Sequence, residues 1–132
     1  MATPHISISG SPTLFHRHMV KNVVEWCFKK GIVVPNHGID SIKIEICTHD
    51  KHDCCGSCTP RGECHGLPPS KYDITLASDQ SFRDIVATIV HEMVHVNQWV
   101  TGEWEEDGEK EAERLQYKYA DMFWKESNDE RQ

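Results

Sequence analysis

No run of apolar side chains in this sequence approaches the ~18 residues that a membrane span requires, so no crossing of a bilayer is expected. A basic excess is also missing: 14 Lys and Arg stand against 21 Asp and Glu, for a net charge of −7. The acid gathers between Glu103 and Glu113 and again at the C-terminal end. Without a basic stripe or tail, a general nucleic-acid binder or a binder of anionic membranes is excluded. The opening Met1-Ala2-Thr3-Pro4-His5-Ile6-Ser7 has neither the basic nor the apolar region of a secretory signal, so a cytoplasmic location is expected. There is no internal repeat, and 132 residues leave room for one core. The expectation is a single domain over residues 1–132. With 38% hydrophobic and 27% charged residues, its composition is that of an ordinary globular protein.

Periodicity supplies the elements. Residues 1–10 read as a loose tail, with a short extended piece left open. Ser11-Pro12 opens a helix, with serine at the cap and proline in the first turn, where its missing N–H costs nothing. Leu14, Phe15, Val20, Val23, Val24, Cys27 and Phe28 mark its buried face, and Gly31 stops it. Ile32-Val33-Val34 reads as a short strand ended by Pro35. Residues 41–47 alternate with Ile42, Ile44 and Ile46 inward, and Tyr72 to Ala77 form a further strand. Between these two strands, residues 47–70 hold a cysteine-rich stretch with Gly56, Pro60, Gly62, Gly66, Pro68 and Pro69, a loop by composition. Ser78, Asp79 and Ser81 offer caps for a helix from about Gln80 to Thr101, ending at Gly102. After an acidic turn, a last helix runs from Asp107–Glu109 to about Lys125, with Ala112, Leu115, Tyr119 and Phe123 as its inner stripe. The fold class is α+β, with an N-terminal helix, a small three-stranded sheet and two C-terminal helices.

The penultimate helix carries His91-Glu92-Met93-Val94-His95. Histidines four apart lie on one face, about 6 Å apart along the axis at ~1.5 Å per residue, and both can reach one metal ion. Glu92, beside the first ligand, can take a proton from water on that metal, which is the H-E-x-x-H arrangement of zinc peptidases. Apolar residues at helical spacing around it (Phe82, Ile85, Val86, Ile89, Val90, Met93, Val94) place the motif on a core helix. A catalytic zinc normally has three protein ligands and an open position. If the chain turns back between Gly102 and Gly108, the next helix starts opposite His95. It reads Glu109-Lys110-Glu111-Ala112-Glu113. Glu109 and Glu113 share a face, while Glu111 points about 200° round. One of the face pair can ligate while the other supports a ligand histidine. Gln98, three residues beyond His95, projects toward the cleft and could orient substrate.

Cys47, Cys54, Cys55, Cys58 and Cys64 crowd into the cysteine-rich stretch with His49, His52 and His65. Cys55-x-x-Cys58 followed by Cys64 could supply a second, structural zinc held by Cys54, Cys55, Cys58 and Cys64. The doubled Cys54-Cys55 departs from the paired half-sites of a zinc finger, so free thiols and a disulfide stay open. A loop this long in so small a domain is usually functional or tied down.

His91-Glu92-Met93-Val94-His95-Val96-x-Gln98 followed by Glu109-x-Glu111-Ala112 resembles the small gluzincin-type zinc metallopeptidases of the phage and bacterial minimal-zincin kind. The resemblance covers about residues 72–120. It implies a zincin-like fold whose edge strand borders the cleft, and a hydrolase acting on a protein or peptide substrate. In the looser relatives the third ligand is the Glu of E-x-x-A, which lands on Glu109; in larger gluzincins an E-A pair carries it, which lands on Glu111. Glu109 ranks first, with Glu111 and Glu113 as alternatives. The implied mechanism is metal-assisted hydrolysis with Glu92 as general base and proton carrier to the leaving amine. Tyr117, Tyr119 and His65 are candidates for the oxyanion donor. The strand Tyr72–Ala77 is the expected backbone partner of an extended substrate. The alternative is a non-enzymatic zinc-binding regulatory or interaction module on the same core. The cysteine loop and the short interval between the two motifs depart from the family pattern.

Overall fold

A computed structural model describes residues 4–10, 14–33, 39–47, 56–61, 70–103 and 106–130. These residues form four strands and three helices: β1 (His5–Gly10), α1 (Leu14–Lys29), β2 (Ser41–Cys47), β3 (Gly56–Arg61), β4 (Lys71–Ala77), α2 (Phe82–Thr101) and α3 (Glu109–Glu130). The class is α+β. The strands lie in the order β1-β2-β4-β3; β1, β2 and β4 are parallel, and β3 runs antiparallel along the outer edge of β4.

Alternation along β2 and β4 creates the inner face of the sheet. Ile42 pairs with Tyr72, Ile44 with Ile74 and Ile46 with Leu76, so large apolar side chains stand in rows, and all six are buried. Ile6 and Ile8 of β1 extend two of these rows through Ile42 and Ile44. Met19, Val20, Val23, Val24 and Cys27 of α1, with Ile85, Val86, Ile89, Val90 and Met93 of α2, complete the same core. Lys43 and Glu45 point out from the opposite face.

Several expectations are corrected here. The sheet has four strands among the described residues, not three. Ile32 and Val33 do not form a strand, although both are buried. They lie in the bend after α1, and their N–H groups donate to the Cys27 carbonyl at 3.0 and 3.5 Å. Those donors are spent on closing the helix end and are lost to any ladder. The first ten residues are more than a tail, because β1 is recruited by β2. The cysteine-rich stretch contains β3, which takes its strand conformation from β4 and tolerates Pro60 because it is an edge. Phe15 is 55% exposed rather than part of the core, with its ring 5.0 Å from that of Phe82.

The two C-terminal helices form an antiparallel hairpin. The Ser81 hydroxyl accepts from the Asp84 N–H at 3.1 Å and opens α2; Gly102, at φ 72°, closes it by donating its N–H to the Gln98 carbonyl at 2.8 Å. Asp107 then accepts from the Glu109 N–H at 3.0 Å and starts α3. Ala112, Ala120 and Phe123 are the buried side chains of α3, with Leu115 and Tyr119 half-buried beside them. Among the described residues no helix is long and apolar enough to cross a membrane.

Candidate metal centre

One helix turn and one hairpin assemble the centre. His91 and His95 share a face of α2, with ring centroids 4.9 Å apart. The hairpin returns the first residue of α3 to that face. The Glu109 carboxylate places one oxygen 3.0 Å from His91 Nε2 and the other 2.8 Å from His95 Nε2. Three donor groups thus converge from two helices, with both imidazoles presenting the same ring nitrogen.

The opposite ring nitrogens are committed elsewhere. Gln98 donates its amide N–H to the Gly108 carbonyl at 3.0 Å and to Glu111 Oε1 at 3.0 Å. A carbonyl and a carboxylate only accept, so the amide orientation is fixed, and Gln98 Oε1 must be the atom facing His95 Nδ1 at 2.8 Å. That oxygen requires Nδ1–H, so in the neutral ring the lone pair sits on Nε2. Gln116 Oε1 stands 2.7 Å from His91 Nδ1 and sets the same tautomer there. Neutral imidazoles then turn two lone pairs toward a carboxylate. This is unfavourable until two protons or one cation stand among them, and the donor set suits a divalent ion of the zinc type.

Glu92 is 3% exposed. Its Oε2 is buried and has no hydrogen-bond partner among the described residues. Burial raises its pKa above the ordinary carboxylate value; the histidines oppose this and Glu109 adds to it. Its carboxylate also lies near the imidazoles, since His91, Glu92 and His95 offer atoms within 4.8 Å of one another. Glu109 makes the shorter approach to both rings and is the better third donor on distance. An orphaned carboxylate oxygen at this place fits a cation or its water as the missing partner.

Beside His91 and Glu92 opens a cleft of about 520 Å³, walled by Asp84 and Thr88 of α2 and by Glu113, Gln116 and Tyr117 of α3, together with Gln80. Glu113 therefore lines the cleft, and the histidine supports are the two glutamines. Glu111 does not point idly away, because it anchors Gln98. The substrate-facing position expected for Gln98 is corrected. It is 4% exposed, and all its described polar contacts lie within the protein, because the turn into α3 folds over it. Gly108 makes that closure possible: at φ 80° it presses on the Gln98 carboxamide where any Cβ would collide. The strand Tyr72–Ala77 cannot receive a substrate backbone either, since β4 is paired on both edges. Among the described residues, the outermost strand of the sheet on this side is β3.

Tyr117 borders the cleft and donates its hydroxyl to Asp84 at 2.8 Å, whereas Tyr119 packs on Trp26 with centroids 6.4 Å apart. Cys54, Cys55, Cys64 and His65 lie outside the described residues. Cys58 is a half-buried free thiol on β3; burial, with Glu92 and Asp73 adding repulsion, pushes its pKa up to about 12. That environment favours the neutral thiol. Sequence reasoning missed Gln116 as a support. The available signal was its place two turns after Glu109 on the same face of α3.

The result is an α+β domain with two histidines and a glutamate gathered on a helical hairpin. No protein-family model matches the chain, and neither does any curated protein or solved structure.

Proposed function

We propose that the protein is a zinc metallopeptidase of the zincin type. His91, His95 and Glu109 hold the ion, and Glu92 serves as general base. The observation that carries this reading is the pairing of two Nδ1-anchored imidazoles facing one carboxylate with a buried Glu92 oxygen that has no partner among the described residues. Zinc bound there would supply Lewis acidity, bringing the pKa of a bound water toward about 7 and polarising a peptide carbonyl. Glu92 takes the proton of the attacking water and delivers it to the leaving amine. Gln98 and Gln116 hold the imidazole tautomers. An extended peptide would pair with the outer edge of β3, which borders the Glu92 side of α2.

A second reading has support from one distance. Because the Glu92 carboxylate lies within 4.8 Å of both imidazoles, it could act as a fourth ligand and close the site into a structural one. Glu92→Gln separates the two readings. In the peptidase the variant retains one zinc per chain and loses hydrolysis of a peptide library; in a closed site it loses the zinc. Retention of both zinc and full hydrolysis in Glu92→Gln would refute the mechanism.

A further inference from the structure

The cleft beside the centre has a chemistry of its own. About 520 Å³ lies within the ~300–1,000 Å³ span of small-molecule pockets, and among the described residues no lysine or arginine contributes to its wall. Asp84 and Glu113 face it from opposite helices, with the Gln80 and Thr88 side chains between them and the orphaned Glu92 carboxylate at its inner end. Glu113 makes no hydrogen bond or ion pair among the described residues. Asp84 is held ionised, first by the Tyr117 hydroxyl and then by Ser81. Arg83, which neighbours Asp84, spends its hydrogen bonds on Asp121. Its Nε and a terminal nitrogen bond the two Asp121 oxygens at 3.0 and 3.2 Å, and its guanidinium lies 4.5 Å over the Tyr117 ring. Glu113 is therefore left for a visitor, while Asp84, held by Tyr117 and Ser81, adds its negative charge to the same wall. Asp84 lies two turns up α2 from His91, about 10 Å at ~1.5 Å per residue, a span that only a long side chain bridges.

We infer that this cleft is the specificity pocket for a lysine or arginine side chain of the substrate, with Asp84 and Glu113 as its counter-charges. The inference rests on the peptidase reading for its meaning but not for its test, since a pocket binds whether or not the centre hydrolyses. A basic side chain entering beside His91 meets Glu113 first and Asp84 at its tip, while Gln80 and Thr88 offer acceptor oxygens. An acidic side chain meets repulsion from both walls, and an aliphatic one must desolvate carboxylates without replacing their partners.

The test uses the full chain treated with chelator, titrated with the N-acetyl amides of arginine, lysine, leucine and glutamate, and followed by backbone amide NMR. Arginine and lysine amides should shift Thr88, Gln116 and Tyr117 in a saturable way, with the leucine and glutamate amides weaker by about tenfold or more. Raising salt to 0.5 M should weaken the arginine amide several-fold, as screening requires. Exposed Glu113 tolerates replacement, so Glu113→Gln should weaken the arginine amide about tenfold, and Glu113→Lys should favour the glutamate amide over it. Equal binding of leucine, shifts mapping to another face, or an unchanged arginine affinity in Glu113→Lys would each overturn the pocket. A chain that binds arginine here yet cleaves no peptide breaks the peptidase reading and keeps the pocket. A chain that cleaves peptides with no preference for basic residues does the reverse.

Discussion

The two ends of the α2–α3 hairpin are built on different physical terms. At the turn end, Gln98 is buried and its described polar contacts are all internal, with His95, Gly108 and Glu111 fixed around one amide. At the open end, Arg83, Asp121 and Tyr117 are exposed, and their contacts with one another and with Asp84 face water. A buried amide has one satisfied arrangement, and losing a partner strands a polar group at about 1–3 kcal/mol. Exposed pairs exchange freely with water and are worth little. The comparison teaches where geometry is enforced: the turn end fixes the direction of a ligand, and the open end leaves room for a cleft to adapt.

The largest effect should come from the donors themselves. His91→Ala, His95→Ala and Glu109→Ala should each weaken zinc binding by orders of magnitude in competition with a chelating dye, while Glu113→Ala should leave it nearly unchanged. A silent Glu109→Ala with a crippled Glu111→Ala would remove Glu109 from the centre. Next come the two supports, which sharpen the comparison directly. Gln98→Ala and Gln116→Ala should both cost roughly ten- to a hundredfold in zinc affinity, the usual effect of losing a histidine's partner. Only Gln98→Ala should also lower urea stability, by about 1–3 kcal/mol, because it alone removes a buried amide that joins His95, the Gly108 carbonyl and Glu111. Equal stability of the two variants would erase the distinction between the ends.

The glycines give a smaller, cleaner contrast. Gly102 and Gly108 have similar positive φ, 72° and 80°, so alanine is strained at both by about 1 kcal/mol. An added Cβ meets nothing within 4 Å at Gly102, but at Gly108 it enters the Gln98 side chain. Gly102→Ala should therefore cost stability alone. Gly108→Ala should cost more stability and several-fold in zinc affinity, because Gln98 must leave His95. Calorimetry paired with zinc titration reads both quantities in both variants, and a Gly108→Ala chain with parental zinc affinity would contradict the network.

The helices were legible because each carries its own signals: a 3.6-residue apolar period, Ser81 before α2 and Gly102 after it. The positions of His91, Glu92 and His95 follow from spacing on one helix alone. Glu109 was harder, since Glu109 and Glu113 share a face and only the tightness of the intervening turn decides which one meets the histidines. That tightness depends on Gly108 lying against Gln98, a tertiary contact with no local mark. β1 and β3 were illegible for a similar reason. Gly56-Ser57-Cys58-Thr59-Pro60-Arg61 has weak strand propensity, and its conformation is imposed by β4. Ile32 and Val33 misled because burial and a β-branched run look the same in a strand and in a helix-closing bend.

The smallest expected effect tests the open end. Asp121 has its pKa lowered chiefly by the hydrogen bond from Arg83, with their charge attraction adding to it. A carboxylate depressed in the folded state contributes stability that is fully present above its unfolded value, about 3.9, and is lost as pH falls through the folded value. Asp121→Asn should therefore differ slightly from the parent between pH 5 and 7, by a constant amount, and converge with it below about pH 4. Because both side chains are more than half exposed, 0.5 M salt should shrink the difference even at neutral pH. Urea midpoints across that range, with and without salt, make the measurement. A gap that widens toward acid, or that ignores salt, would mean that Arg83 and Asp121 are not the loosely held, solvent-screened pair on which the contrast with Gln98 depends.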